Sequence, residues 1–139
     1  MKRTLAASVG LVAVSLAVVG CSGAGAGAGA VQEARGTTAM VASEPSSVAM
    51  EALISGTLTL TDAGCFAVAS GGMTYPLQFP FGSQIGDDGT EVTVPGLLPL
   101  HVGDEISGGG GYLHLTEVDP ACIADNEYDE YAVWHTLDE

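Results

Sequence analysis

From residue 54 onward the chain alternates apolar and polar residues in runs too short for a helix, and glycine or proline ends most of them. That pattern limits the fold more than any other feature. A period of two places alternate side chains on opposite faces of a strand. Residues 54–61 begin the series with Ile54, Leu58 and Leu60 separated by small or hydroxyl residues. Asp62, Ala63 and Gly64 turn the chain into residues 65–69. Ser70, Gly71 and Gly72 turn it again into residues 73–79, where Pro76 favours an edge position or a bulge. Asp87, Asp88 and Gly89 are a turn signal ahead of residues 91–94, which Pro95 and Gly96 terminate. Residues 101–107 read as a short strand broken at Gly103 and Asp104, and residues 112–118 and 131–137 complete the set. Strands recurring every 8–12 residues or so indicate an all-β domain, either barrel or sandwich. A small OB-like β-barrel is the expectation, because closure removes sheet edges and glycines suit barrel corners. A β-sandwich is the alternative.

All eight aromatic residues fall at Phe66 or later, which marks residues 52–139 as the folded domain. A domain of this size buries only about 60–65% of its unfolded surface, so a covalent crosslink matters to it. Cys65 and Cys122 supply one candidate, an even pair once Cys21 is assigned to another role. In an oxidising compartment a disulfide is the default for such a pair. The competing reading, a reactive thiol or a metal pair, needs neighbouring ligands that the local sequence lacks.

The first twenty residues are of a different kind. Lys2 and Arg3 precede an uncharged apolar run from Thr4 to Val19, the layout of a secretory signal peptide with its signal helix. The run is somewhat short for a free-standing membrane helix. After Cys21 comes an alternation of glycine and alanine, then Ser, Thr, Glu and Pro45 with no aromatic residue. Such a segment cannot bury enough surface to offset its ordering entropy. Residues 21–51 are therefore expected as a disordered, flexible linker of roughly 30 residues, with an r.m.s. reach of about 30 Å, bearing at most a helical turn near residues 47–53.

The residues Val18, Val19, Gly20 and Cys21 resemble the lipobox of bacterial lipoproteins. The resemblance implies diacylglyceryl modification of Cys21, palmitate incorporation and cleavage after Gly20. Two acyl chains anchor stably where one is marginal, at about 0.8 kcal/mol per buried methylene. The implied location is the extracytoplasmic face of the cell membrane. An ordinary cleaved signal or an uncleaved anchor helix is the competing reading. A second resemblance covers residues 54–115. Gly56 with its Thr/Leu repeat, Gly64-Cys65-Phe66, the Tyr75–Gly82 run and the Val102–Gly111 run look like small exported β domains of actinobacterial lipoproteins. Those domains are largely uncharacterised, so the likeness implies fold and location and carries no active site.

Charge excludes one class of partner. All 17 acidic residues lie after Cys21, and Arg35 is the single basic residue there, so the processed chain carries 1 − 17 = −16. Such a surface repels phosphate backbones, and nucleic-acid binding is not expected.

Catalytic motifs are absent. Ser83 lies among glycines but without nucleophile-elbow spacing, and reads as a turn after Pro80. Glycines 108–111 are not followed by a lysine and a helix, as a phosphate loop requires, and read as a mobile loop or bulge. His101, His114 and His135 are far apart in sequence, with His114 expected to face solvent or a barrel mouth. Asp104 and Glu105 are adjacent carboxylates on opposite strand faces. The run containing Asp125, Glu127, Asp129 and Glu130 is the candidate cation site, though it lacks the central glycine and distal glutamate of an EF-hand loop. After the linker, Pro120 to Glu127 is the one stretch that suits a helical turn. Tyr112, Tyr128 and Tyr131 are candidate contact residues, because large amphipathic rings dominate interfaces, whereas Trp134 is expected in the core. The reading that follows is a membrane-anchored, non-enzymatic binding or accessory domain with a cell-envelope protein or glycan partner and no cofactor. A cation-binding lipoprotein, using the Asp125–Glu130 run or the strand histidines His101, His114 and His135, is the alternative, and a hydrolase using Asp104 and Glu105 ranks below both.

Overall fold

A computed structural model describes residues 30–47, 50–114, 122 and 129–135. The expected signal peptide at 1–20, Cys21, most of the 120–127 turn and the ends of two expected strands lie outside the described residues. Ten strands follow in chain order: β1 Ala30–Ala34, β2 Thr37–Val41, β3 Ala52–Leu60, β4 Phe66–Ser70, β5 Met73–Phe79, β6 Gln84–Ile85, β7 Glu91–Thr93, β8 Leu100–His101, β9 Glu105–His114 and β10 Glu130–His135.

Five of them close a barrel. β3 pairs antiparallel with β4, and β4 antiparallel with β5. β5 pairs parallel with β10 through Leu77 and Ala132. β10 then pairs antiparallel with β9, and β9 antiparallel with β3. Numbered within the barrel, the order round the circumference is 1-2-3-5-4, with strands 3 and 5 parallel. This is the Greek-key connectivity of an OB barrel, and closure disposes of the sandwich alternative.

The barrel interior follows the period-two pattern. Ile54 and Leu58 of β3, Phe66 and Val68 of β4, Tyr75, Leu77 and Phe79 of β5, Ile106 of β9, and Ala132 and Trp134 of β10 form one buried cluster. Its rings meet edge-on: Phe66 with Phe79 at 5.8 Å and Phe79 with Trp134 at 6.4 Å. Aromatic pairs prefer this arrangement because ring edge and ring face carry opposite partial charge. β6, β7 and β8 form a separate three-stranded antiparallel sheet in the connection from β5 to β9. It adds Val92 and Val94 to the same core.

The glycine run 108–111 lies in the middle of β9 and is neither loop nor bulge. Gly108 and Gly110 share the inward face with Ile106. A Cβ on Gly108 would collide with Trp134 Nε1, so this glycine vacates the volume that the indole fills. The indole N–H is buried and meets no acceptor among the described residues.

Two further departures concern the supposed linker. Residues 30–41, placed there on composition, form the β1–β2 hairpin in five-residue register from Ala30↔Val41 to Ala34↔Thr37. Its two-residue turn has Arg35 at φ 49° and Gly36 at φ 82°. Both signs suit the type I′ geometry that follows the natural strand twist. β2 extends the barrel sheet by pairing parallel with β5 at Met40↔Gln78 and Val41↔Phe79. Ala39 and Val41 join the core, and that burial offsets the ordering entropy. Near residues 47–53, Ala52 and Leu53 already belong to β3 rather than to a helical turn.

Gln32 of β1 fastens the hairpin to the small sheet. Its Nε2 donates to the Ser83 carbonyl at 3.0 Å, and its Oε1 accepts from the Ile85 N–H at 2.8 Å. Gln32→Ala should cost about 1–2 kcal/mol, since both partners lose a bond in a half-buried setting. Amide exchange at Ile85 should accelerate; unchanged protection there would mean that the clasp is not holding the two parts together.

Candidate functional site

Three turns from distant parts of the chain meet at one end of the hairpin. The β1–β2 turn carries Arg35 and Gly36. The β3–β4 turn is closed by Gly64 N–H donating to Thr61 O at 2.9 Å. Gly64 abuts the Gly36 carbonyl, which would lie 2.6 Å from a Cβ placed there. The turn before β7 brings Gly89 against the Ala34 carbonyl and the Thr37 hydroxyl, leaving no room for a side chain. Thr37 Oγ1 lies 2.7 Å from the carbonyl oxygens of both Ala34 and Gly89, so its hydroxyl ties two of the turns.

Between the first two turns lies an open cleft of about 490 Å³ lined by Glu33, Ala34, Arg35, Gly36, Thr37, Thr38 and Ala63. Arg35 is exposed at its rim. The loop joining the first two barrel strands is one of those that OB barrels use to bind ligands, and here Ala63 stands in it. The lining offers one guanidinium, one carboxylate and two threonines, a set suited to polar ligands. In the neighbouring turn the Thr90 N–H donates to Asp88 Oδ1 at 2.9 Å. The backbone N–H and the hydroxyl of Thr90 hold the Asp88 carboxyl below its ordinary range.

The sequence-derived candidates scatter. Tyr131 is only 6% exposed, so it is not a free contact residue. It packs with Met40, Cys65, Cys122 and Val133 in a second cluster outside the barrel. β10 is thus buried on both faces, which a one-sided strand pattern did not reveal. Tyr112 is half-buried and its ring lies 4.9 Å from that of Tyr75. Tyr128 lies outside the described residues, as do Asp125 and Glu127. Asp129 is exposed, and Glu130 opens β10 opposite His114. Trp134 is in the core as expected.

His114 is exposed and His135 half-buried. His101 Nε2 lies 3.0 Å from Glu91 Oε2, and its backbone N–H donates to Asp104 Oδ2 at 2.8 Å. Asp104 therefore caps a turn, and its carbonyl accepts from Leu58 N–H at 2.8 Å. Ser83 is buried in the turn after Pro80, its hydroxyl meeting no partner among the described residues. Among the described residues no group of three His, Cys, Asp or Glu side chains is arranged to hold a metal ion.

The sequence does not announce the cleft, because the two turns that form it are separated by a long stretch of chain. Arg35 was the one available signal, as the single basic residue after Cys21. No family model, curated protein or solved structure matches the chain.

Proposed function

We propose that this protein is an exported lipoprotein, anchored in the cell membrane through Cys21, whose OB-like barrel serves as a non-enzymatic binding or accessory domain of the cell envelope. The observation that carries the reading is the Cys65–Cys122 disulfide, which crosslinks positions 57 residues apart within a buried cluster. Such bridges persist in extracytoplasmic compartments and are rare in a reducing cytosol. The leader and lipobox-like residues ahead of Cys21 agree with that compartment. Among the described residues no helix is long and apolar enough to cross a membrane. The cleft beside Arg35 is the place in the barrel for a polar ligand, and a hydroxyl-rich envelope glycan fits its mixed lining.

Cys21→Ala should abolish both palmitate incorporation and signal processing, and globomycin should stall the wild-type precursor. A variant that still incorporates label at the wild-type level would end the lipoprotein reading.

A further inference from the structure

The geometry points to a membrane-docking surface: the apolar end of the molecule formed by Phe81, Leu97 and Leu98 rests in the headgroup region of the bilayer that holds the anchor. This rests on the lipid anchor at Cys21 proposed above and deepens it.

The first support is the length of chain before the fold. Because β1 begins at Ala30, only nine residue steps separate Cys21 from the hairpin. Even fully extended they span about 30 Å. The barrel is therefore held beside the membrane, whatever that segment does.

The second is where the chain arrives. Ala30 pairs with Val41, and Val41 pairs with Phe79. Two strand spacings put Ala30 about 10 Å from Phe79. Gln32, two residues on, bonds to Ser83 and Ile85. The chain thus enters the fold beside the turn that follows β5. That turn is closed by Ser83 N–H donating to Pro80 O at 3.2 Å, with Gly82 at φ 85°. A second turn of the same form is closed by Leu97 N–H donating to Val94 O at 3.1 Å, with Gly96 at φ 80°. Both are type II turns, whose third position requires positive φ. They pack side by side, Pro95 Cγ standing 3.1 Å from where a Gly82 Cβ would be.

The third is what those turns expose. Leu98 is 84% exposed, Phe81 50% and Leu97 44%. Contiguous apolar exposure of this kind marks an interaction surface. Residues 80–86 and 92–100 contain no charged side chain, in a chain with 17 carboxylates. The exposed acids Asp62, Asp87 and Asp88 belong instead to the turns that meet the Arg35 end of β1, about 13 Å away along the strand. Along the chain, exposed Glu33 lies within β1, Glu44 lies three residues beyond Val41, and half-buried Glu91 directly precedes Val92. An acid-rich domain rests on a bilayer only through an uncharged face, and this is the uncharged face at the tether. A bilayer, unlike a protein partner, is always within reach of it.

The test uses the full lipidated chain in phosphatidylcholine vesicles with brominated acyl chains. One tryptophan is added at a time: Phe81→Trp, Leu98→Trp, or Thr74→Trp at the opposite end of β5, where the residue is also exposed. Trp134 is buried and provides the constant background. At positions 81 and 98 the added emission should fall roughly twofold or more, as insertion to the ~5–10 Å depth of interfacial side chains requires. At position 74 it should not fall. Protein that floats with the vesicles after an alkaline wash but shows no quenching at 81 and 98, or equal quenching at 74, overturns docking and leaves the anchor standing. Protein that carries no acyl mass and does not float overturns both.

Discussion

Replacing Cys65 and Cys122 together by alanine should lower the stability of the domain by about 4 kcal/mol. The bridge closes a loop of 57 residues. In the chain-entropy model, freeing a loop of that length restores about 4 kcal/mol of disorder to the unfolded chain. For a domain near 100 residues this corresponds to a fall in Tm of roughly 15–30 °C. The double substitution is the better experiment than a single one, because it leaves no free thiol to form a wrong pair. The folded state loses something as well. Cys65 and Cys122 are both buried against Met40, Tyr131 and Val133, and their sulfurs join the residue just ahead of β4 to the connection between β9 and β10. Denaturation followed by circular dichroism, with and without reductant, checks the expectation. A double variant melting within a few degrees of the wild type would show that the barrel closes without help from the crosslink.

The fold was largely legible because barrel interiors impose a strict alternation. Ile54 and Leu58, Phe66 and Val68, and Tyr75, Leu77 and Phe79 each stand two or four apart, and each set faces inward. The expected boundaries of the strand at 73–79 coincide with those of β5. What could not be read depends on relations between distant residues. β1 and β2 carry alanine, threonine and glutamine without an aromatic, and their turn is Arg-Gly rather than Asn-Gly. Their order comes from pairing with β5, which local composition does not encode. The consecutive residues Thr37 to Val41 were the one local sign of a strand. β6 and β8 have two residues each, too few to show any period. Tyr131 reads as a contact residue because large amphipathic rings favour interfaces; its burial depends on the cystine and on Met40 from elsewhere in the chain. The cleft beside Arg35 is lined almost wholly by residues 33–38, but its far wall is Ala63 of the β3–β4 turn, which the hairpin's own sequence does not announce. Ser83 and glycines 108–111, by contrast, lacked catalytic spacing in the sequence and occupy structural positions in the fold.

Gly110→Ala should destabilise the barrel by about 3 kcal/mol or more, whereas Gly111→Ala, one residue on, should change it by less than about 1 kcal/mol. Overpacking a core with one extra methyl typically costs about 1–3 kcal/mol, and the figure rises when nothing near the methyl can move. At Gly110 the obstacle is the Val133 carbonyl oxygen, with Ile54 Cγ1 at 2.7 Å behind it. That carbonyl belongs to β10, which pairs with β9 from Glu130 to His135, so it cannot retreat without breaking the ladder that closes the barrel. At Gly111 the Cβ meets Met50 Sδ at 2.8 Å. A thioether on an unbranched chain swings aside at little cost. Replacing glycine also restricts the unfolded chain, which returns about 0.4–1 kcal/mol in both variants. Urea midpoints of the two proteins measure the difference, and Trp134 emission reports on the inner face, because Gly110 is its partner across the β9–β10 ladder. Equal midpoints would mean that β9 does not approach β10 and β3 so closely at Gly110, and the account of this glycine as a close-approach position would have to be abandoned.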